Sequence, residues 1–218
     1  MNVSAPTSRA LIRRKSMLFV GDSIWHGFST GAGPRPQLVQ LIEARGWAVT
    51  TKGTQAGTSG ATHLHLLSEC YDGQGCPNFT AAPTRISGVG AMGTGSVVVI
   101  CLGANEVGDG ATYDRSASQW ATDMGTLRDL AEAIADKVIL IPPYTGNWTA
   151  NQITRAGEFA SAAPALATTK SSVCLTYRSG FVLGTDRIAA DNTHLNDDPG
   201  ASRAAAAVFA HGISNGCW

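Results

Sequence analysis

The chain reads Met17-Leu18-Phe19-Val20-Gly21-Asp22-Ser23 near its start, an apolar run of strand length that ends in a polar turn. Such a run is typical of a buried strand in a parallel sheet. Far downstream, the segment Asp191-Asn192-Thr193-His194 places a carboxylate and an imidazole close together. A serine hydroxyl is a poor nucleophile until a base activates it, and that base needs an orienting group. These three residue types therefore point to nucleophilic chemistry on a serine.

Composition narrows the classes of partner. Hydrophobic residues make up 44% of the 218 residues and charged residues 15%, so we expect one globular domain with a large core. The 16 basic and 16 acidic residues cancel, which argues against capture of nucleic acid or of an anionic membrane by charge. We therefore expect a neutral small-molecule or carbohydrate partner. The oligomeric state stays open.

The beginning of the chain carries several basic residues but no long apolar stretch. The run Met17 to Val20 is too short for the core of a signal peptide, and the runs at 96–102 and 137–142 are too short to span a bilayer. We interpret residues 1–15 as a polar leader and residues 16–218 as a single domain. A cytoplasmic location and release without a signal both remain open.

Strand-length apolar runs alternate with helical patterns along the chain. The runs predict five buried strands, at 17–20, 47–51, 97–102, 138–141 and 173–176. Helical spacing predicts helices at 36–45, 116–136, 151–160 and 201–211. This alternation predicts a parallel sheet with helices on both faces. Ligands of such sheets bind at the carboxyl ends of the strands, so we expect Ser23, Asn105 and the segment 191–194 at one edge.

The cysteines and histidines give little sign of a metal or a cofactor. Cys101 and Cys174 lie in apolar runs and are predicted to be buried. Cys70 and Cys76 flank a short loop that a disulfide could close, and Cys217 could pair with either, so the disulfide state of these three stays open. No Cys, His and carboxylate spacing fits a zinc site, and we expect neither a metal nor a cofactor.

Four segments taken together resemble the sequence blocks of the SGNH hydrolases, also called GDSL-type esterases. The segments are Gly21-Asp22-Ser23-Ile24, Gly57-Thr58-Ser59-Gly60-Ala61-Thr62, Gly103-Ala104-Asn105-Glu106 and Asp191-Asn192-Thr193-His194. Their order and spacing match the family over about residues 17–212. The resemblance implies a three-layer α/β/α fold of flavodoxin-like type, with a five-stranded, mostly parallel sheet. It also implies hydrolysis of carboxylic esters.

The resemblance implies a role for each matched residue. Ser23 would be the nucleophile, His194 the general base and then the general acid, and Asp191 the group that orients the imidazole. The backbone N–H groups of Ser23 and Gly60 and the side-chain amide of Asn105 would form the oxyanion hole. Donors fixed at that point stabilise the charge that develops on the carbonyl oxygen in the transition state.

Several alternatives stay open. The small, polar loops at 27–33 and 108–110, with Trp25 and Phe28 as the nearest bulky groups, favour a short acyl group such as acetyl on a carbohydrate. Asn105 has a plain structural explanation as a cap for the segment after its strand. An acyltransferase with the same acyl-enzyme is an alternative, because transfer and hydrolysis differ only in the second step. A carbohydrate-binding module without turnover is another.

Overall fold

The computed structural model describes residues 13–26, 33–52, 82–107, 115–143, 148–175 and 194–218. Within these ranges the chain forms five strands: β1 (Arg13–Gly21), β2 (Trp47–Thr51), β3 (Val97–Cys101), β4 (Lys137–Ile141) and β5 (Ser171–Val173). The same ranges contain six α-helices: α1 (Ser23–His26), α2 (Pro34–Glu43), α3 (Ala82–Val89), α4 (Ala117–Ile134), α5 (Ala150–Ala162) and α6 (Ser202–Ser214).

The five strands form one parallel sheet in the order β2-β1-β3-β4-β5. Gly21, the last residue of β1, is level with Cys101, the last residue of β3, and Cys101 is level with Ile141 at the end of β4. The carboxyl ends of three neighbouring strands therefore meet at one edge of the sheet. The expected α/β fold with a five-stranded parallel sheet is confirmed.

Helices cover both faces of the sheet because the strands are apolar on both sides. Alternate residues of β1 point to opposite faces, so Leu18 and Val20 enter one core and Met17 and Phe19 the other. The first core is completed by helices α3, α4 and α5, with Ile86, Trp120, Met124, Leu127 and Phe159. The second is completed by α2 and α6, with Leu38, Ile42, Ala204, Ala205 and Val208. The sheet therefore lies between two layers of helices, which is the three-layer arrangement implied by the resemblance.

The first strand begins earlier than the sequence predicts. β1 starts at Arg13, so Arg13 to Lys15 belong to the sheet rather than to the predicted leader of residues 1–15. Arg13 pairs with Trp47 of β2, and the Lys15 Nζ lies 4.6 Å from the centre of the Trp47 ring. The indole face attracts the ammonium group and covers it, so a charged residue can continue the strand. Residues 1–12 lie outside the described residues.

Three cysteines are buried, Cys101, Cys174 and Cys217, and Cys217 has a free thiol. The predicted burial of Cys101 and Cys174 is thereby confirmed. Because Cys217 is free, it does not form the disulfide considered for it, and burial raises the pKa of its thiol to about 11. Cys70 and Cys76 lie outside the described residues.

Two features are absent from the ranges given above. No helix there combines the length and the apolar character needed to cross a membrane. No three or more His, Cys, Asp or Glu side chains there are arranged to hold a metal ion.

Candidate active site

The segment after β1 turns sharply into α1 at the carboxyl edge of the sheet. The Asp22 backbone N–H donates to the Cys101 carbonyl oxygen at 3.2 Å, which keeps the end of β1 against β3. Helix α1 begins at the next residue, Ser23, of which the structure describes the backbone only. The backbone of the expected nucleophile therefore sits directly beyond the sheet edge.

A glycine is needed at position 21, because the Trp25 side chain fills the space that a Cβ atom would occupy. A Cβ atom at Gly21 would lie 2.8 Å from the Trp25 Cδ1 atom, closer than a carbon atom can approach. Trp25 is completely buried, with its ring centre 6.5 Å from that of Phe19. The expectation that Trp25 would be a bulky group beside the acyl group is therefore wrong. Its side chain packs into the core under the turn, and Phe28 lies outside the described residues.

The turn after β3 has the same construction. Gly103 has φ +129°, and a Cβ atom there would lie 2.7 Å from the Trp120 Nε1 atom. The buried Trp120 indole N–H donates to the Leu102 carbonyl oxygen at 3.3 Å, so the ring is fixed beneath the turn. Asn105 follows two residues later, in the turn over residues 104–107. A glycine over a buried tryptophan thus precedes both the expected nucleophile and the expected amide donor.

Substituting Gly103 with alanine is expected to destabilise the fold by on the order of 3 kcal/mol, because the new Cβ meets the Trp120 ring at a backbone conformation that L-residues rarely adopt. The matched control is Gly157→Ala in α5, where a Cβ has open space. That control should stabilise the protein by about 0.5–1 kcal/mol, since alanine favours helix more than glycine. Urea unfolding measures both, and equal effects of the two substitutions would contradict this account.

The Asp22 carboxyl group joins the two turns. It is buried, and its Oδ1 accepts the Ile24 backbone N–H at 3.1 Å. The backbone N–H groups of Trp25 and Ala104 also bond to this carboxyl group. Burial raises the pKa of Asp22 to about 6, an increase opposed by these N–H donors and by the charge of His194. One carboxyl group therefore contacts the helix of Ser23 and the residue before Asn105.

His194 lies at the same edge of the sheet. Its charge acts on Asp22, so the imidazole is near the turn that carries Ser23. The next residue, Leu195, is buried in the core between the sheet, α2 and α6, and this apolar anchor fixes where the loop meets the sheet. His194 itself is half-buried.

The structure describes some of the expected site residues and not others. The Ser23 backbone, Asn105 and His194 lie around Asp22 at the carboxyl edge. Asp191 and Gly60 lie outside the described residues. Asp22 is the group that sequence reasoning did not single out, although a carboxyl group between a strand end and a serine is a visible signal.

The raised pKa of Asp22 predicts how stability depends on pH. Between pH 3.8 and about 6, Asp22 is mostly protonated in the folded protein and mostly ionised in the unfolded chain. The contribution of Asp22 to the free energy of unfolding is therefore largest below pH 3.8 and declines by roughly 3 kcal/mol as the pH rises to about 6. Urea unfolding of the wild type and Asp22→Asn across this range isolates the effect. A wild type that gains stability relative to Asp22→Asn as the pH rises from 3.8 to about 6 would contradict it.

A family model matches most of the chain. The GDSL-like lipase/acylhydrolase family model aligns with residues 19–198, a range that includes all four sequence blocks. No curated protein matches the sequence at a significant level.

Solved structures share the fold at low sequence identity. TesA is 20% identical, with a TM-score of 0.62, over 92% of this chain and 99% of TesA. A carbohydrate esterase of family 3 from Talaromyces cellulolyticus is also 20% identical, with a TM-score of 0.62, over 92% of this chain and 97% of that one. A catalytic mutant of Axe2, an acetylxylan esterase from Geobacillus stearothermophilus, is 17% identical, with a TM-score of 0.59, over 89% and 92% of the two chains.

Proposed function

Since this chain belongs to the GDSL-like lipase/acylhydrolase family, we propose that it is a serine esterase that removes short acyl groups, such as acetyl, from a carbohydrate. Family membership supports a carboxylic ester hydrolase. The acyl length and the carbohydrate are the finer parts of the proposal. The small, polar loops predicted at 27–33 and 108–110 support them. Two proteins of similar fold are a carbohydrate esterase and an acetylxylan esterase.

The reaction proceeds through an acyl-enzyme. The Ser23 hydroxyl attacks the ester carbon while His194 takes its proton, and Asp191 orients the imidazole and stabilises its charged form. The tetrahedral intermediate collapses with loss of the alcohol, which receives the proton from His194. Water then attacks the acyl-serine with the same base. It releases the carboxylic acid and restores Ser23.

Three donors stabilise the oxyanion in both steps. These are the backbone N–H groups of Ser23 and Gly60 and the side-chain amide of Asn105. They act on charge that is present in the transition state and not in the ester, so they raise kcat more than they lower KM.

The observation that carries the proposal is the arrangement around Asp22. Its carboxyl group bonds to backbone N–H groups on both sides of the gap between α1 and the turn after β3, and the charge of His194 acts on it. Residues far apart in sequence are thereby held near one another at the edge where parallel sheets bind ligands.

The test is a panel of aryl esters of increasing acyl length, run beside acetylated xylo-oligosaccharides. We expect kcat/KM to be highest for acetyl, to fall as the chain lengthens, and to vanish in the Ser23→Ala variant. A preference for long acyl chains would contradict the acetyl assignment. Product analysis with an added acceptor sugar separates hydrolysis from transfer, because transfer yields a new ester in place of free acetate.

A further inference from the structure

Two turns that carry expected site residues are held together by one buried side chain. On one side, the Asp22 carboxyl group accepts N–H groups from Ile24 and Trp25 in α1; on the other, it accepts the N–H of Ala104. Ile24 directly follows Ser23, and Ala104 directly precedes Asn105. The Asp22 backbone N–H adds a further bond, to Cys101 at the end of β3. Any shift of the Asp22 carboxyl group would change the separation of Ser23 and Asn105.

The charge of this carboxylate is costly to the fold. Asp22 is buried, and this burial is the main reason that its pKa is raised to about 6. The elements around it, α1 and the turn after β3, contribute backbone N–H groups. Within the described part of the chain, the one charged side chain that acts on it is His194, from the segment before α6. A charge kept buried at this cost indicates a use beyond joining two turns.

We propose that Asp22 is a positioning residue of ester hydrolysis, whose buried carboxyl group fixes the Ser23 backbone relative to Asn105. The inference rests on the proposed function. As the Ser23 hydroxyl attacks the ester carbon, the Ser23 N–H and the Asn105 amide must both lie beside the oxygen on which negative charge forms. Asp22 sets the placement of these two groups without touching the substrate and without taking a proton. A misplacement of the donors by about 1 Å is enough to cost 100-fold in rate.

The test compares two substitutions of the same kind. Asp22→Asn keeps the size of the side chain but removes its charge and one of its two acceptor oxygens. Asp136→Asn is the matched control, because the Asp136 carboxylate also accepts a backbone N–H, from Gly95, but beside the amino ends of β3 and β4. We expect Asp22→Asn to lower kcat by about 100-fold with KM within about threefold of the wild type. The control should leave both constants within about twofold of the wild type, as expected for a change far from the site.

The pH profile separates positioning from a purely structural role. In the wild type, Asp22 gains a proton as the pH falls through about 6, so kcat should lose there the advantage that the ionised carboxyl group gives. In Asp22→Asn the side chain is neutral at every pH, so the ratio of the wild-type kcat to the variant kcat should fall towards 1 below about pH 6. A role limited to stability would change the melting temperature and leave this ratio independent of pH. A ratio that does not change with pH would overturn the proposal.

A second measurement needs no substitution at Asp22. Backbone amide shifts of Ile24 and Ala104 are followed by NMR as the pH is varied in a His194→Ala variant, so that the imidazole does not contribute. Both amides should titrate together, with one midpoint at or above about pH 6. An Ala104 amide that does not follow Ile24 would overturn the proposal, even if Asp22→Asn does not fold.

Failure of the inference and failure of the proposed function give different results. If Ser23→Ala retains full activity, the serine esterase itself is wrong. If Ser23→Ala is inactive while Asp22→Asn matches the Asp136→Asn control in kcat, only the role of Asp22 is wrong.

Discussion

Replacing Ser23 with alanine is expected to lower kcat for a small aryl acetate by on the order of 10⁴-fold or more, because no other group replaces the attacking hydroxyl. The residual rate would come from binding and from the remaining oxyanion donors. KM should change little, since the hydroxyl contributes little to binding of the ester itself. Steady-state kinetics with the purified variant measures both constants.

The fold must survive this substitution for the kinetic result to be informative. We expect the free energy of unfolding of Ser23→Ala to lie within about 0.5 kcal/mol of the wild type. The matched control is Ser87→Ala, an exposed serine of α3 whose hydroxyl donates to the Pro83 carbonyl oxygen. This control should retain full activity. Turnover by Ser23→Ala at the rate of the control would mean that another residue is the nucleophile.

Replacing Asn105 with alanine has the second largest expected effect. The loss of one oxyanion donor should lower kcat by about 10²–10³-fold, on the order of 3 kcal/mol in the transition state, with little change in KM. Asn151→Ala, at an exposed position in α5, serves as the control and should behave as the wild type. A loss confined to KM would contradict an oxyanion role.

A structural explanation of Asn105 makes a different prediction for the Asn105→Asp variant. A side chain that only caps the turn accepts N–H groups through its oxygen, and an aspartate at this position would keep that function. An oxyanion donor needs the amide N–H, which aspartate lacks, and the carboxylate would repel the developing negative charge. We therefore expect Asn105→Asp to be at least as inactive as Asn105→Ala. Near-normal activity of Asn105→Asp would favour the cap.

The layers of the fold could be predicted from the sequence because the signal is local. The apolar runs at Trp47 to Thr51 and Val97 to Leu102 specify strands almost to the residue. Helix α4 begins where Ser116 and Gln119 form a capping box. The start of β1 could not be predicted in this way. From the sequence alone, Lys15 is expected to be exposed to solvent. Its burial depends on the Trp47 ring, which belongs to another strand.

The end of the sheet shows the same limit. β5 runs over Ser171–Val173 rather than the apolar 173–176, because it is an edge strand on which polar residues are tolerated. Its start is set by the Ser171 hydroxyl, which donates to the Leu166 carbonyl oxygen, a contact with the preceding turn that periodicity does not reveal.

The residue types of the candidate site were visible in sequence, but the contacts among them were not. Motifs and their order point to Ser23, Asn105 and His194. The link through Asp22 depends on the register that sets Gly21 level with Cys101, because this register brings Ala104 to the carboxyl group. Trp25 was misinterpreted for the same reason. An aromatic residue beside a nucleophile is expected to line the site. Only the packing of Trp25 against Gly21 shows that its side chain belongs to the core.

The central claim is that Ser23 carries the acyl group between two steps, and rapid-quench mass spectrometry with an aryl acetate tests it most directly. We expect an acetyl group on the peptide that contains Ser23, formed within one turnover and lost as acetate accumulates. It should be absent from Ser23→Ala and accumulate slowly in Asn105→Ala. Rapid turnover with no acyl group on Ser23, or with the acyl group on another residue, would contradict the account.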